Sequence, residues 1–287
     1  TDTDRRYWFN NNDLSMRLGC LAYYNFDQTS GNLINQATTA NGFTNGLGSA
    51  VDGINNGATQ TATGKIGNAW SFDGNNDSVG VSSISSHIQS LTTGSISLWY
   101  KNDSDSQLGA FFSCSDLSDG GSWFFIRTET DGNLRLMVIE NGTSSIDFDI
   151  ETEDTLSSGN WNHIVWTVGT SGNTFYVNGA PVTPTYLTGS SSTTAFFNTI
   201  LDIDHCALGG MQLASGWIGG EYYDGNIDEF SIWNRVLTST EISALYNSGT
   251  GATVDTAKDP RWFPTFQDKF NNDIGWTATG SDVAVDS

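Results

Sequence analysis

Asp and Glu number 32 against 11 Lys and Arg in this 287-residue chain, a net charge of -21. Carboxylate oxygens in such surplus are the donors that hard divalent cations prefer. They also do plainer work, because a strongly charged surface keeps a protein soluble in a salty medium. The same charge repels phosphates, so nucleic acid is excluded as a partner, and with it charge-driven docking to anionic lipid. Histidine offers no catalyst: His87 lies in a Ser-rich stretch, His163 follows Trp161 in an apolar run, and His205 neighbours Cys206 in another. No Ser-His-Asp or His-Glu-x-x-His constellation is visible. Cys20, Cys114 and Cys206 cannot all pair within one chain and lack the C-x-x-C spacing of a zinc or redox site, so they read as buried, inert thiols. Aromatic rings supply the remaining chemistry. Trp123, Trp217, Tyr222 and Tyr223 could stack on a pyranose, whose C–H face is apolar and whose hydroxyl edges suit Asn, Asp and Gly loops. Trp217 and the Tyr222-Tyr223 pair are flanked by Gly216, Gly219 and Gly220, a stretch that is hard to bury.

The elements that must position these residues are strands. Gly occurs 32 times and Pro only 4, the composition of short strands joined by tight turns rather than of a helical bundle. Asn178-Gly179 between Phe175-Tyr176-Val177 and Ala180-Pro181-Val182 is a hairpin signal. Asp131-Gly132 and Asn141-Gly142 bracket a strand over 134–139 in the same way, giving a meander through the middle of the chain. Further strands are predicted over 21–26, 69–72, 95–100, 111–114, 123–127, 146–150, 161–168 and 200–208. From Ile227 to Trp233 the apolar residues alternate with one slip in phase, which predicts a strand that carries a bulge or has both faces partly covered. Thr238 then stands three residues before Glu241, a capping box, and Ile242, Leu245 and Tyr246 share one helical face before Gly249 stops the helix. One short helix near the end of an all-β, two-sheet antiparallel sandwich is the expected fold. No apolar run approaches the roughly 20 residues needed to span a bilayer. The start, Thr1 to Arg6, lacks the apolar core of a signal peptide, so either processing removed such a segment or none was needed.

Five segments in register carry a family likeness: 67–77 (GNAWSFDGNND), 94–99 (GSISLW), 161–165 (WNHIV), 176–179 (YVNG) and 225–247 (GNIDEF through ALYN). Their order and spacing resemble the laminin G-like jellyroll domains of the concanavalin A-like lectin/glucanase superfamily. The resemblance covers roughly 18–248. It divides the chain into an N-terminal arm over 1–17, a jellyroll sandwich over 18–250, and a connector over 251–287 that forms a C-terminal arm or opens a further β-domain. Trp262, Phe263, Phe266, Phe270 and Trp276 in that last stretch need cover from a neighbouring subunit or domain.

Such sandwiches bind carbohydrate, protein or calcium. The resemblance implies a structural calcium tying the first strands to the last, with Asp228 on the closing strand, Asp73 with Gly74 after the second strand, and Asp27 near the first as ligands. It also implies, for the glucanases, a Glu-x-Asp-x-x-Glu strand. The nearest match is Glu129-Thr130-Asp131-Gly132-Asn133-Leu134, where Leu134 replaces the third acid and Asp131-Gly132 reads as a turn. The expected function is therefore non-catalytic recognition or adhesion at an extracellular, cell or virion surface, with a surface glycan as partner and Trp217, Tyr222 and Tyr223 as ligand contacts. A structural protein of a fibre, capsid or filament, bound to neighbouring subunits, is the alternative; a polysaccharide-degrading enzyme stands third.

Overall fold

The computed structural model describes residues 16–254, apart from 119–120, 141–145, 153–156 and 219–220, and the backbone of a small antiparallel ladder between 278–279 and 282–283. The expectations for the N-terminal arm, the Asn141-Gly142 turn, Gly219, Gly220 and the aromatic residues of the connector lie outside the described residues.

The strands in chain order are β1 (Cys20–Tyr24), β2 (Ile54–Asn56), β3 (Thr59–Thr63), β4 (Asn68–Asp73), β5 (Ser78–Gly80), β6 (Gly94–Asn102), β7 (Gly109–Ser115), β8 (Trp123–Thr128) and β9 (Leu134–Ile139). They continue with β10 (Ile146–Glu151), β11 (Asn162–Gly169), β12 (Gly172–Val177), β13 (Ala180–Val182), β14 (Thr185–Thr188), β15 (His205–Leu208), β16 (Gln212–Leu213), β17 (Gly216–Trp217) and β18 (Asp224–Trp233). One sheet runs β13-β12-β11-β6-β18-β4-β3, with β1 added beside β18; the other runs β14-β10-β9-β8-β7-β15-β5-β2. The described strand pairs within the two sheets are antiparallel, and one isolated parallel bridge joins Gly57 to Ser78. The expected two-sheet sandwich is what folds, and β7 to β10 form the expected meander.

Alternation explains why the sheets stack. Along β8 and β9, Phe124, Ile126, Leu134, Leu136 and Val138 point inward to the principal core, where Phe124 stacks on Trp166 of the opposite sheet with ring centroids 5.6 Å apart. The core also holds Phe111, Phe112, Phe230 and Tyr24, all at 0% exposure. At about 25 cal/mol per Å² of apolar area, rings of this size dominate the energy of the fold. The Asn178-Gly179 turn is made as predicted, with φ +51° and +79°, the pair of positive values that a two-residue hairpin turn requires.

Several expectations need correction. Besides α2 (Ser239–Tyr246) there is a second short helix, α1 (Ser85–Ile88), led in by a 3-10 turn over Ser82–Ile84. Four residues are too few to show a helical period, so that turn was not readable. Of the strand predicted over 200–208 only His205–Leu208 forms; Phe197–Thr199 is a 3-10 turn and Asp202 has φ +51°. Cys114 and Cys206 are not free thiols: they face each other across β7 and β15 and form a disulfide, leaving Cys20 alone as a buried thiol. The strand register brings together two cysteines 92 residues apart.

Met16 and Val254 are each 1% exposed and belong to a second apolar cluster on the outer face of the first sheet, with Val165, Trp233, Ile242 and Leu245. Among the described residues no helix is long and apolar enough to cross a membrane.

Candidate functional site

The outward side chains of β8 and β9 build a concave patch on the second sheet. Trp123, Phe125 and Arg127 alternate outward on β8, and Arg135, Met137 and Ile139 on β9. The β16–β17 hairpin folds over this face, held by hydrogen bonds from the Ser113 and Ser115 hydroxyls to the carbonyls of Gly210 (2.8 Å) and Gln212 (2.7 Å). Its Met211, Leu213 and Ile218 close one side of a cavity of about 220 Å³ that Trp123, Phe125, Arg127, Met137 and Glu221 complete. Most of that wall is apolar, and the Arg127–Glu221 pair is its polar edge.

The charged groups there form one network. Arg127 lies 4.2 Å over the Phe125 ring and donates to Glu129 (2.8 Å) and to Oε1 of Glu221. Arg135 grips Asp149 through two bonds of 2.9 and 2.7 Å, with Glu129 3.6 Å from its other terminal nitrogen. Glu221 is 8% exposed. Burial raises its carboxyl above the ordinary glutamate value, with Arg127 opposing and Glu129 adding to the rise. Its second oxygen, Oε2, is buried with no hydrogen-bond partner among the described residues. An orphan acceptor of this kind is costly unless something donates to it.

A second site lies in the first sheet, where β18 changes neighbours. Its first half pairs with β4 and its second half with β1, both on the same side. Between them β18 carries the bulge that the phase slip predicted, with a register shift between Asp228 and Ser231 and φ +53° at Glu229. Asp228 sits at this junction, fully buried. Its Oδ2 accepts the backbone N–H groups of Lys65 (2.9 Å) and Ile66 (3.0 Å), while Oδ1 has no hydrogen-bond partner among the described residues. Burial raises this carboxyl, opposed by the backbone donors, and nearby Asp27 raises it further. Asp27 takes the N–H of Asn68 at 2.9 Å from the same turn. The turn must be glycine-bounded: a Cβ at Gly67 would lie 2.2 Å from Asp27 Oδ1, and one at Gly64 would lie 2.9 Å from Asp228 Oδ2.

Asp27 and Asp228 are therefore brought together, whereas Asp73 and Gly74 are not. Asp73 pairs with Asp224 at the far end of β4, four residues from Asp228 and so roughly 13 Å along the strand at about 3.3 Å per residue. Its carboxylate accepts the N–H groups of Asn75 and Asn76 in its own turn. Among the described residues no group of three or more His, Cys, Asp or Glu side chains gathers as metal ligands. The aromatic triplet divides too. Trp217 stacks on Tyr222 at 5.5 Å and meets the edge of His205 at 5.5 Å, both rings partly exposed. Tyr223 instead is wholly buried, edge-on to Phe111 and hydrogen-bonded to Asn102 (3.1 Å), so it is a core residue and no ligand contact. The two neighbours thus point to different surroundings, Tyr222 to Trp217 and Tyr223 to Phe111.

Of the acids that resembled a glucanase strand, Glu129 and Asp131 fall in the turn after β8, where Gly132 has φ +86° and its N–H bonds the Glu129 carbonyl. They share no strand face. His163 is buried against Ser97 (2.9 Å) and beside Trp99 and Tyr246, and burial lowers it to about 3. Sequence reasoning missed Arg127, Met137 and Glu221. The signal available was that β8 and β9 carry large side chains on both faces, which marks an outer face with its own work to do.

A family model described as the concanavalin A-like lectin/glucanases superfamily, a laminin G type, matches residues 73–243, more than half of the chain. The chain belongs to this superfamily. Among solved structures, a Trypanosoma rangeli sialidase in complex with 2,3-difluorosialic acid aligns with TM-score 0.57 at 14% identity, over 82% of this chain and 34% of the sialidase. The CBM40 of a Ruminococcus gnavus IT-sialidase, bound to α2,3-sialyllactose, aligns with TM-score 0.51 at 14% identity, over 68% of this chain and 96% of the module. NanB with optactamide aligns with TM-score 0.51 at 21% identity, over 61% of this chain and 26% of NanB. The chain thus spans between a quarter and about a third of these two longer proteins, and the likeness to all three is one of fold. No curated protein matches it.

Proposed function

We propose that this concanavalin A-like domain is a non-catalytic glycan-recognition module working at an extracellular, cell or virion surface, with calcium tying its first strands to its closing one. The observation that carries the reading is the cavity on the second sheet: aromatic and Met walls to take a sugar's C–H face, and the Arg127–Glu221 edge to take its hydroxyls. Fold neighbours that include a carbohydrate-binding module support it by analogy. A disulfide, which persists in oxidising compartments, supports a location outside the reducing cytosol. The turn placement of Glu129 and Asp131 supports the absence of glycoside hydrolysis, since paired acids must flank one bond.

Asp228 and Asp27 fit the calcium that the family implies. Among the described residues one buried oxygen of Asp228 has no hydrogen-bond partner, and the Asp27 carboxylate acts electrostatically on the same group; calcium takes carboxylate oxygens of this kind, with backbone carbonyls completing its shell. Asp73 and Gly74 would stand outside that site.

A glycan array with the wild-type chain, Trp123→Ala and Trp217→Ala tests the reading. Trp123→Ala should weaken the bound glycan by about tenfold, the worth of one stacked ring, while Trp217→Ala should leave it unchanged. Loss with Trp217→Ala alone would move the site to the Trp217–Tyr222 pair. A wild-type chain that binds no glycan would replace the reading by that of an assembly protein.

A further inference from the structure

The charge network around the cavity bears on which sugars it can hold, an inference that rests on the glycan reading above. Every guanidinium nitrogen in reach already faces a protein carboxylate. For Arg127, Nε and one terminal nitrogen face Glu129 at 2.8 Å and the other faces Glu221. For Arg135, Nε and one terminal nitrogen are bonded to Asp149, and the last lies 3.6 Å from Glu129. Glu151 also acts on Arg135 and accepts from Asn133 at 3.3 Å. Two guanidiniums thus stand against four carboxylates, Glu129, Glu221, Asp149 and Glu151, on a chain that is itself strongly acidic.

An anion entering this cavity would meet no uncommitted cation among the described residues and would add a like charge to a low-dielectric wall, which raises its cost. What the cavity does offer is an acceptor. Among the described residues Oε2 of Glu221 is buried and has no partner, while Oε1 of the same group is held by Arg127. A hydroxyl group supplies the missing donor, and the Trp123 and Met137 surfaces supply cover for the C–H face beside it. We propose that the cavity selects an uncharged sugar ring, one hydroxyl of which donates to Oε2 of Glu221, and discriminates against sugars that carry a carboxylate. Similarity of fold to proteins solved with sialic acid derivatives does not extend to this selectivity, because ligand choice follows from the charges that line a site rather than from the sandwich that bears them.

The test is calorimetric titration of the full chain, at fixed ionic strength and calcium, with the methyl glycosides of galactose, glucose, mannose, fucose, N-acetylglucosamine and N-acetylgalactosamine, and with those of N-acetylneuraminic acid and glucuronic acid. At least one neutral glycoside should bind at least tenfold more tightly than either acid. Glu221→Gln keeps an oxygen for Arg127 but turns the free acceptor into an N–H donor, and should weaken the neutral ligand at least tenfold at an unchanged melting temperature. An acidic sugar that binds as tightly as the best neutral one overturns the proposal and leaves glycan recognition standing. So does neutral binding that Glu221→Gln does not alter. If Glu221→Gln fails to fold, Met137→Phe, which fills the cavity without touching the ion pairs, must abolish neutral binding, and unchanged binding overturns the proposal. No binding by any sugar, on this panel and on the array, removes the glycan reading and this proposal with it.

Discussion

At the residue scale, Asp228 shows how one side chain can be at odds with its surroundings until a partner arrives. It is a carboxylate at 0% exposure whose Oδ2 takes two N–H donors, while the Glu229 N–H also acts on the group and Oδ1 makes no hydrogen bond among the described residues. A ligand that binds only the folded state stabilises it by mass action, so calcium should raise the melting temperature of the wild-type chain at fixed ionic strength. Asp228→Asn should abolish that increment, and Asp73→Ala should leave it intact, because Asp73 is spent on its own turn. Differential scanning fluorimetry with calcium and with magnesium, each against a chelator control, reads both outcomes. A calcium increment that survives Asp228→Asn would show that the cation binds elsewhere.

At the element scale, α2 is held at its start more firmly than its eight residues would manage alone. The Thr238 hydroxyl accepts the Glu241 N–H at 3.2 Å, and the Glu241 carboxylate accepts the Thr238 N–H at 2.8 Å. Arg235 adds two bonds to the same carboxylate (2.8 and 2.9 Å) and one to the carbonyl of Leu18 (2.6 Å), fastening the helix to the chain that leads into β1. Thr238→Ala removes one cap and should cost about 1 kcal/mol, measured by urea unfolding, with the glycan affinity unchanged because the cavity lies on the other sheet. The helix ends at Tyr246, three residues before the glycine that the sequence suggested: Asn247 takes the left-handed conformation at φ +47°, and Gly249 follows in a 3-10 turn. Asn tolerates that region through local hydrogen bonding of its short side chain.

At the scale of the whole molecule, the Cys114–Cys206 bond joins neighbouring strands of the sheet that bears the cavity and closes a separation of 92 residues. Both sulfurs are wholly buried in the principal core. Replacing the pair by alanine should lower stability by about 2–4 kcal/mol, the usual worth of such a link, read as a lower urea midpoint at an unchanged slope. A change in slope would mean instead that the denatured chain had altered. Cys20 lies in the other cluster, where burial raises its thiol far above the ordinary range, so alkylation of the native chain should not reach it.

What the sequence determined by itself was local. Alternation marked the meander, Asn178-Gly179 set a hairpin, Thr238 and Glu241 started the helix, and the phase slip after Ile227 announced the bulge, because each rests on residues a few positions apart. Tertiary structure decided whatever depends on distant segments meeting. Only the strand register could place Cys206 opposite Cys114, and only the change of neighbour along β18 could set Asp228 beside Asp27 while leaving Asp73 four residues away. Tyr222 and Tyr223 look alike in sequence, yet one packs on Trp217 and the other enters the core. The cavity was the least legible feature of all. Glu221 and Arg127 are separated by 94 residues, and nothing in the order of residues reveals that a hairpin will fold back over a sheet face and leave one carboxylate oxygen there without a donor.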